Sequence, residues 1–266
     1  MTHTTTIPVV MTFAGNDPSG GAGLQADIET LASMGCHAAP VITAITVQDT
    51  QRLYRYEAID AALIVEQARA ILEDSPVAAF KIGMLGSVEN VEAVHTILRD
   101  YPELPVVLDP LITAGGGGEL ADDELIDAMV NLLFPLATVL TPNSEEARTF
   151  APEADNLDAC AQELLELGSE YILITGTHEG TPHVVNNLYG THRLLESYTW
   201  ERLPDSYHGS GCTLASAIAG LLSQGLPVTA AVHEAQEFAW ESLNNGYRIG
   251  MGQHIPQRLF WAQGED

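Results

Sequence analysis

Lysine is almost missing from this chain. Lys81 is the only one in 266 residues, and ten basic residues stand against 36 acidic ones, for a formal charge of −26. So acidic a surface repels nucleic acid and anionic lipid, which excludes both as partners. It also repels ATP at long range, so any nucleotide site must work through Mg²⁺, helix termini and a few arginines. The acid excess reads as adaptation to saline surroundings or as drift in a solvated surface, and says nothing about fold. Cysteine is scarce as well: Cys36, Cys160 and Cys212 are too few and too scattered for a disulfide framework or a zinc site. No apolar run is long enough to span a bilayer, and residues 1–6 lack the basic and apolar regions of a signal peptide. The expectation is a cytoplasmic protein with no membrane partner. No GxxxxGK[ST] segment occurs, so a P-loop is excluded, and the glycine spacing does not fit a dinucleotide fingerprint.

What is present is a regular alternation. Short apolar runs at 9–13, 39–45, 79–82, 106–108, 138–140 and 171–174 predict strands. Helical patterns fall between and after them, at 23–34, 61–72, 91–98, 123–133, 145–150 and 157–167. Such a succession predicts an α/β fold of three layers, α/β/α, around a mostly parallel sheet. Residues 53–58 could add a strand. Residues 184–188 and 193–198, joined across Gly190, predict a small antiparallel hairpin, and helices at 212–222 and 229–245 follow. With no linker and no internal repeat, 1–266 reads as one domain. Ligands in such sheets sit beyond the carboxyl ends of the strands, where the polar segments of this sequence collect.

Two of those segments carry chemistry. Tyr207-His208-Gly209-Ser210-Gly211-Cys212-Thr213 opens an apolar helix. Glycines around a hydroxyl residue at a helix mouth let backbone N–H groups converge on an anion, with the helix dipole adding positive character. A cysteine in that first turn is expected to have a depressed thiol pKa. The plainer alternative is a glycine turn before a core helix with a small buried cysteine. Near the N-terminus, Ala14-Gly15-Asn16-Asp17-Pro18-Ser19-Gly20-Gly21-Ala22-Gly23 reads as a glycine-rich bend between a strand and a helix, with small residues where a ligand must come close.

These segments stand in a familiar order with Val47-Gln48-Asp49-Thr50, Lys81-Ile82-Gly83-Met84-Leu85, Leu108-Asp109-Pro110 and Thr141-Pro142-Asn143-Ser144-Glu145-Glu146-Ala147. The order resembles that of bacterial hydroxymethylpyrimidine/phosphomethylpyrimidine kinases, thiamine-biosynthesis members of the ribokinase-like superfamily. The resemblance runs from about Val9 to about Pro256. The cysteine of His-Gly-Ser-Gly-Cys-Thr is similar to this kinase, whereas ribokinase and many relatives carry aspartate there.

The resemblance implies a ribokinase-like fold, ATP and Mg²⁺ as cosubstrate and metal, a small pyrimidine substrate and a homodimer. It implies Cys212 as the proton acceptor beside an anion hole at Gly209, Ser210 and Gly211. A pyrimidine pocket at Ala22, Asp27, Val47, Gln48 and Met84 follows in the same way. A carboxamide such as Gln48 can pair with both the amine and the ring nitrogen of an aminopyrimidine. The alternative for Asp27 is a helix cap or a hydrogen bond within its helix. Asp109 and Glu146 are the expected Mg²⁺ ligands, with Asn143 close to phosphate. The sequence departs from the family at two places. Thr175 and the run Gly115-Gly116 stand where many members have phosphate-facing lysines; a hydroxyl and a glycine N–H nest are the expected replacements. Lys81 is expected to pair with an acid. His208 reads as a hydrogen-bonded loop residue. A pyridoxal-type kinase and a non-catalytic precursor-binding protein remain the alternatives.

Overall fold

The computed structural model describes residues 7–113, 118 and 120–262. Nine strands form one sheet in the order β3-β2-β1-β4-β5-β6-β7-β8-β9. They are β1 (Val9–Asn16), β2 (His37–Gln48), β3 (Leu53–Ala58), β4 (Val77–Ile82), β5 (Val106–Leu108), β6 (Val139–Leu140), β7 (Tyr171–Ile174), β8 (His183–Gly190) and β9 (Arg193–Glu201). The run from β2 to β7 is parallel, while β3 at one edge and β8–β9 at the other are antiparallel. The expected architecture is the observed one.

Strand alternation explains why the sheet needs helices on both faces. Met11, Phe13, Phe80, Ile82, Val106, Leu108, Leu140, Ile172 and Ile174 enter one core, while Val10, Ala79, Val107, Val139 and Leu173 enter the other. The first core is covered by α2 (Ala61–Asp74), α3 (Val88–Arg99), α4 (Asp123–Leu132), α5 (Ser144–Phe150) and α6 (Leu157–Glu166). The second lies beneath α1 (Gly23–Ser33), α7 (Ser210–Ser223) and α8 (Val228–Asn244). Asp60, Ser87, Asp122, Asn143 and Asn156 each accept backbone N–H groups at a helix start, which ends the preceding loop and satisfies orphan donors.

Several boundaries differ from expectation, and those beside the cleft and at the hairpin have a visible reason. β1 continues to Asn16 because its parallel pairing with β2 resumes after an irregularity at Ala14/Gly15, and β2 continues to Gln48 because its last residues pair antiparallel with β3. The glycine bend therefore begins only at Asp17. The β8–β9 turn lies at Thr191 and His192, both with positive φ of 49° and 56°, as a two-residue hairpin of right-handed twist requires. Gly190 is instead a paired strand residue opposite Arg193, where a Cβ would come within 2.8 Å of the Tyr171 ring.

Strand order reverses between β1 and β4, since β1 is flanked by β2 on one side and β4 on the other. A crevice opens at such a switch point beyond the strand ends. The glycine bend after β1 and Gly83-Met84 after β4 both lie there.

Candidate active site

A cleft of about 1000 Å³ lies at the carboxyl edge of the parallel strands. Ala22, Gln48, Met84, Asp109, Asn143, Glu146, Thr175, Gly209, Ser210, Gly211 and Cys212 all line it. Eleven residues chosen from seven separate stretches of sequence thus meet at one cavity. Gly115 and Gly116 lie outside the described residues.

Two expected pocket residues are not on the wall. Val47 is exposed, and its neighbours Thr46 and Gln48 line the cleft instead; alternate residues of a strand point to opposite faces. Asp27 is fully buried behind the wall, on the face of α1 turned toward β4 and α7. Its carboxylate lies 2.8 Å from Lys81 Nζ and accepts a hydrogen bond from Ser216 Oγ at 2.6 Å. Neither expectation for Asp27 describes this geometry: it is not on the pocket wall, and its partners lie on β4 and α7 rather than within its own helix.

Lys81 follows the same logic. It alternates with Phe80 and Ile82 along β4, so it enters the α1/α7 layer, where both it and Asp27 have no exposure. Burial pulls its pKa down, but the acidic groups around it, Asp27 first, outweigh that and keep the ammonium charged. It is a buried cation beneath the helix mouth, paired to an acid.

The helix mouth is built by two interlocking glycine loops. Gly209 caps α7 with φ 86°, and a Cβ there would sit 2.0 Å from the carbonyl oxygen of Gly21. Gly23 begins α1 with φ 57°, and a Cβ there would sit 2.2 Å from the carbonyl oxygen of Gly15. Glycine is required at both by conformation and by space. The first bond of the mouth is donated by Thr213 N–H to Gly209 C=O at 2.9 Å. The N–H groups of Ser210, Gly211 and Cys212 precede it and have no helical acceptor. An anion cradle at a helix N-terminus needs these features.

Cys212 departs from the expected electrostatics. Its thiol is pushed up to about 11, chiefly by burial, with Asp109 and Asp27 adding to the rise and Lys81 opposing it. Helix position would lower the value, but desolvation outweighs it. The thiol is therefore protonated at neutral pH, beside an Asp109 carboxylate near enough to affect its charge.

Asp109 is itself raised to about 6, mainly by burial, against the lowering charge of Lys81. Glu146 rises further, to about 8, through burial and then the Asp109 charge. The Asn143–Glu146 pair that suggested phosphate and metal binding is also a capping box. Asn143 Oδ1 accepts the N–H groups of Glu145 and Glu146, both at 2.9 Å, and Glu146 Oε2 accepts Asn143 N–H at 2.9 Å. The Asn143 amide nitrogen remains free to donate. Thr175 is bridged to Asn143 across the β6 and β7 ends.

Sequence reasoning passed over Asp17. It accepts from Ser19 N–H at 2.8 Å, Ser19 Oγ at 2.9 Å and Ala22 N–H at 2.8 Å, so it shapes the entire bend. An Asp-Pro-Ser-Gly string signals such a turn. Arg202 was passed over too. Its guanidinium donates to the carbonyls of Thr177, Glu179 and Thr181 at 2.8–2.9 Å, bracing a loop that contributes Thr177 and His178 to the cleft. Nothing in the local sequence announces that contact.

A doubly wound sheet with an anion cradle, two buried carboxylates and a roomy cleft defines a small-molecule phosphotransferase. The chain belongs to the phosphomethylpyrimidine kinase family, whose model matches residues 17–257. The hydroxymethylpyrimidine/phosphomethylpyrimidine kinase of Synechococcus elongatus is 36% identical over 252 residues, covering 93% of this chain and 95% of that protein. The thiamine biosynthesis bifunctional protein ThiED of Geobacter sulfurreducens is 33% identical over 247 residues, and the aligned segment spans half of that longer protein. Among solved structures, an ADP complex of Bacillus subtilis pyridoxal kinase superposes with a TM-score of 0.88 at 28% identity, covering 97% of this chain and 100% of that one.

Proposed function

We propose that this kinase transfers the γ-phosphoryl group of ATP to 4-amino-5-hydroxymethyl-2-methylpyrimidine, and then to its monophosphate, in thiamine diphosphate synthesis. The observation that carries the reading is the convergence of Gln48 and Met84 with the Gly209–Cys212 helix mouth on one cleft. Gln48 can pair with the edge of an aminopyrimidine and Met84 supplies an adaptable apolar wall. The substrate hydroxymethyl group then faces the N–H groups that stabilise spreading negative charge during transfer.

The proton of the attacking hydroxyl needs an acceptor. The Cys212 sulfur is already protonated, so it accepts that proton as its own passes to the Asp109 carboxylate. The O–H bond breaks as oxygen bonds to phosphorus, while the bond from the γ-phosphorus to its bridging oxygen breaks and ADP leaves with that electron pair.

Mg²⁺ fits the acids present. Asp109 Oδ2 is buried with no hydrogen-bond partner, and the charge of Asp109 helps to hold Glu146 protonated; a divalent cation relieves both. Asp109 and Glu146 would hold it, directly or through water. When bound, it supplies charge that offsets the phosphate oxygens in a cleft whose one lining lysine, Lys81, is paired with Asp27. Trp200, Trp240 and Leu243 line the cleft as well and offer an apolar surface for the nucleobase.

A cytoplasmic location agrees with the free state of Cys36, Cys160 and Cys212, and no helix of the described residues is long and apolar enough to cross a membrane. A homodimer is supported by Ile42, Ile45 and Val47, which expose apolar surface along β2. Incubating the protein with Mg-ATP and, separately, hydroxymethylpyrimidine, its monophosphate and pyridoxal tests the substrate assignment. Phosphorylated pyrimidine is expected, and product from pyridoxal alone would overturn it.

A further inference from the structure

Arg258 is fully buried, the largest such side chain among the described residues. It lies one residue past the family-matched span and does not line the cleft. All three guanidinium nitrogens donate: Nε to Thr213 Oγ1 at 2.9 Å, Nη1 to Glu29 Oε2 at 3.0 Å and Nη2 to the carbonyl oxygen of Gly21 at 2.5 Å. Thr213 passes the connection on, since its hydroxyl donates to the carbonyl of Gly209 at 2.8 Å.

These two carbonyls matter because a trans peptide unit is planar, and no cis bond occurs in the described chain. Fixing a C=O therefore fixes the N–H on its far side. The Gly209 carbonyl shares its plane with the N–H of Ser210, the first donor of the helix mouth. The Gly21 carbonyl shares its plane with the N–H of Ala22, which donates to Asp17 Oδ2. Both peptides flank glycines, the residues least able to hold their own orientation.

Stability alone is a weak reason for such a residue. A cation buried beside the positive end of a helix is unfavourable, and a well-packed apolar side chain is often at least as stable as a buried ion pair. Glu29 offsets the charge from one side only, with its own side chain 29% exposed.

We propose that Arg258 is a positioning residue for phosphoryl transfer, aiming the N–H of Ser210 through Thr213 and Gly209 while holding the Gly21–Ala22 peptide directly. It touches neither substrate nor the reacting atoms. The inference rests on the phosphoryl-transfer reading above.

Arg258→Met, Thr213→Val and the double variant test it by steady-state kinetics, normalised to folded protein. Removing a whole oxyanion donor costs roughly 10²–10³ in kcat, so a misaimed one should cost about 10- to 100-fold. KM for hydroxymethylpyrimidine should stay within about twofold, because Gln48 and Met84 are untouched. The double variant should be no slower than the slower single, since the two side chains act in series. Unchanged kcat in either variant, losses that multiply in the double, or a rise in KM without a fall in kcat would overturn the proposal. If Arg258→Met does not fold, Thr213→Val carries the test, since it replaces a hydroxyl with a methyl in the same shape. Absence of turnover in the wild-type protein would instead remove the kinase reading, and this inference with it.

Discussion

His208 Nε2 lies 2.8 Å from Asp17 Oδ2, across 191 positions of sequence. This contact pins the glycine bend after β1 to the loop before α7, so the two halves of the site share one anchor. Burial opposes the charge on Asp17, but the His208 and Ser19 contacts outweigh it and hold the carboxyl below its usual range.

Asp17→Asn should lower the free energy of unfolding by about 1–3 kcal/mol, the usual cost of leaving buried partners unsatisfied. A depressed carboxyl contributes its stability above its unfolded value of 3.8 and loses it as pH falls through the folded value. Urea unfolding at neutral and acid pH checks this: the gap between wild type and variant should close on acidification.

Lys81→Met leaves the Asp27 carboxylate buried and unpaired. The expected loss is about 3–5 kcal/mol, whereas Lys81→Met/Asp27→Leu should recover most of it, because replacing a whole buried pair is far milder than halving it. Chemical denaturation of the three proteins gives the comparison. A double variant as unstable as the single would show that the pair is not the source of the loss.

Gln48→Leu should chiefly damage recognition. Polar edges of the pyrimidine would face an apolar wall, at roughly 1–3 kcal/mol for each group left unpaired. Calorimetric titration with hydroxymethylpyrimidine reads it directly, and unaltered affinity would place the ring elsewhere in the cleft.

Cys212→Ala should reduce kcat by about two to four orders of magnitude with little change in pyrimidine affinity. The raised thiol gives a second check. With its proton held to about pH 11, Cys212 in the ligand-free protein should react slowly with iodoacetamide near neutrality and faster as pH rises. Rapid alkylation at pH 7 would mean an activated thiolate and a different proton path.

Glu146 holds its proton to about pH 8 when folded, against 4.5 for the ordinary carboxyl. The folded state binds the proton more tightly than the unfolded chain, so stability of the ligand-free protein falls as pH rises through that interval. Mg²⁺ must displace the same proton. Its apparent affinity in the presence of ATP should therefore climb from about pH 6 to pH 8, with proton release measurable by calorimetry in buffers of different ionisation enthalpy. Glu146→Gln should flatten the part of the rise that exceeds the Asp109 contribution.

Much of the site was legible before any coordinates. Gln48, Met84, Asp109, Asn143, Glu146, Thr175 and the Gly209–Cys212 mouth were picked out by local pattern and resemblance, and all reach the cleft. Val47 was not separable from Gln48 by motif alone, since which of two adjacent strand residues faces a ligand depends on register. The thiol of Cys212 shows a similar limit. Its place at a helix start is written in the chain, but its burial beneath packed layers is not, and burial sets the direction of the shift.

The sequence by itself determined the α/β succession and the helix starts, because hydrophobic period and capping residues act over a few positions. It also determined which residue types gather at the carboxyl ends of the strands. Tertiary structure alone decided that Asp27 serves Lys81, that His208 holds Asp17 and that Arg258 reaches Gly21 and Thr213. Those partners lie far apart in the chain and have no common period or motif. Only the stacking of α1 and α7 on the same face of the sheet brings them within hydrogen-bonding distance.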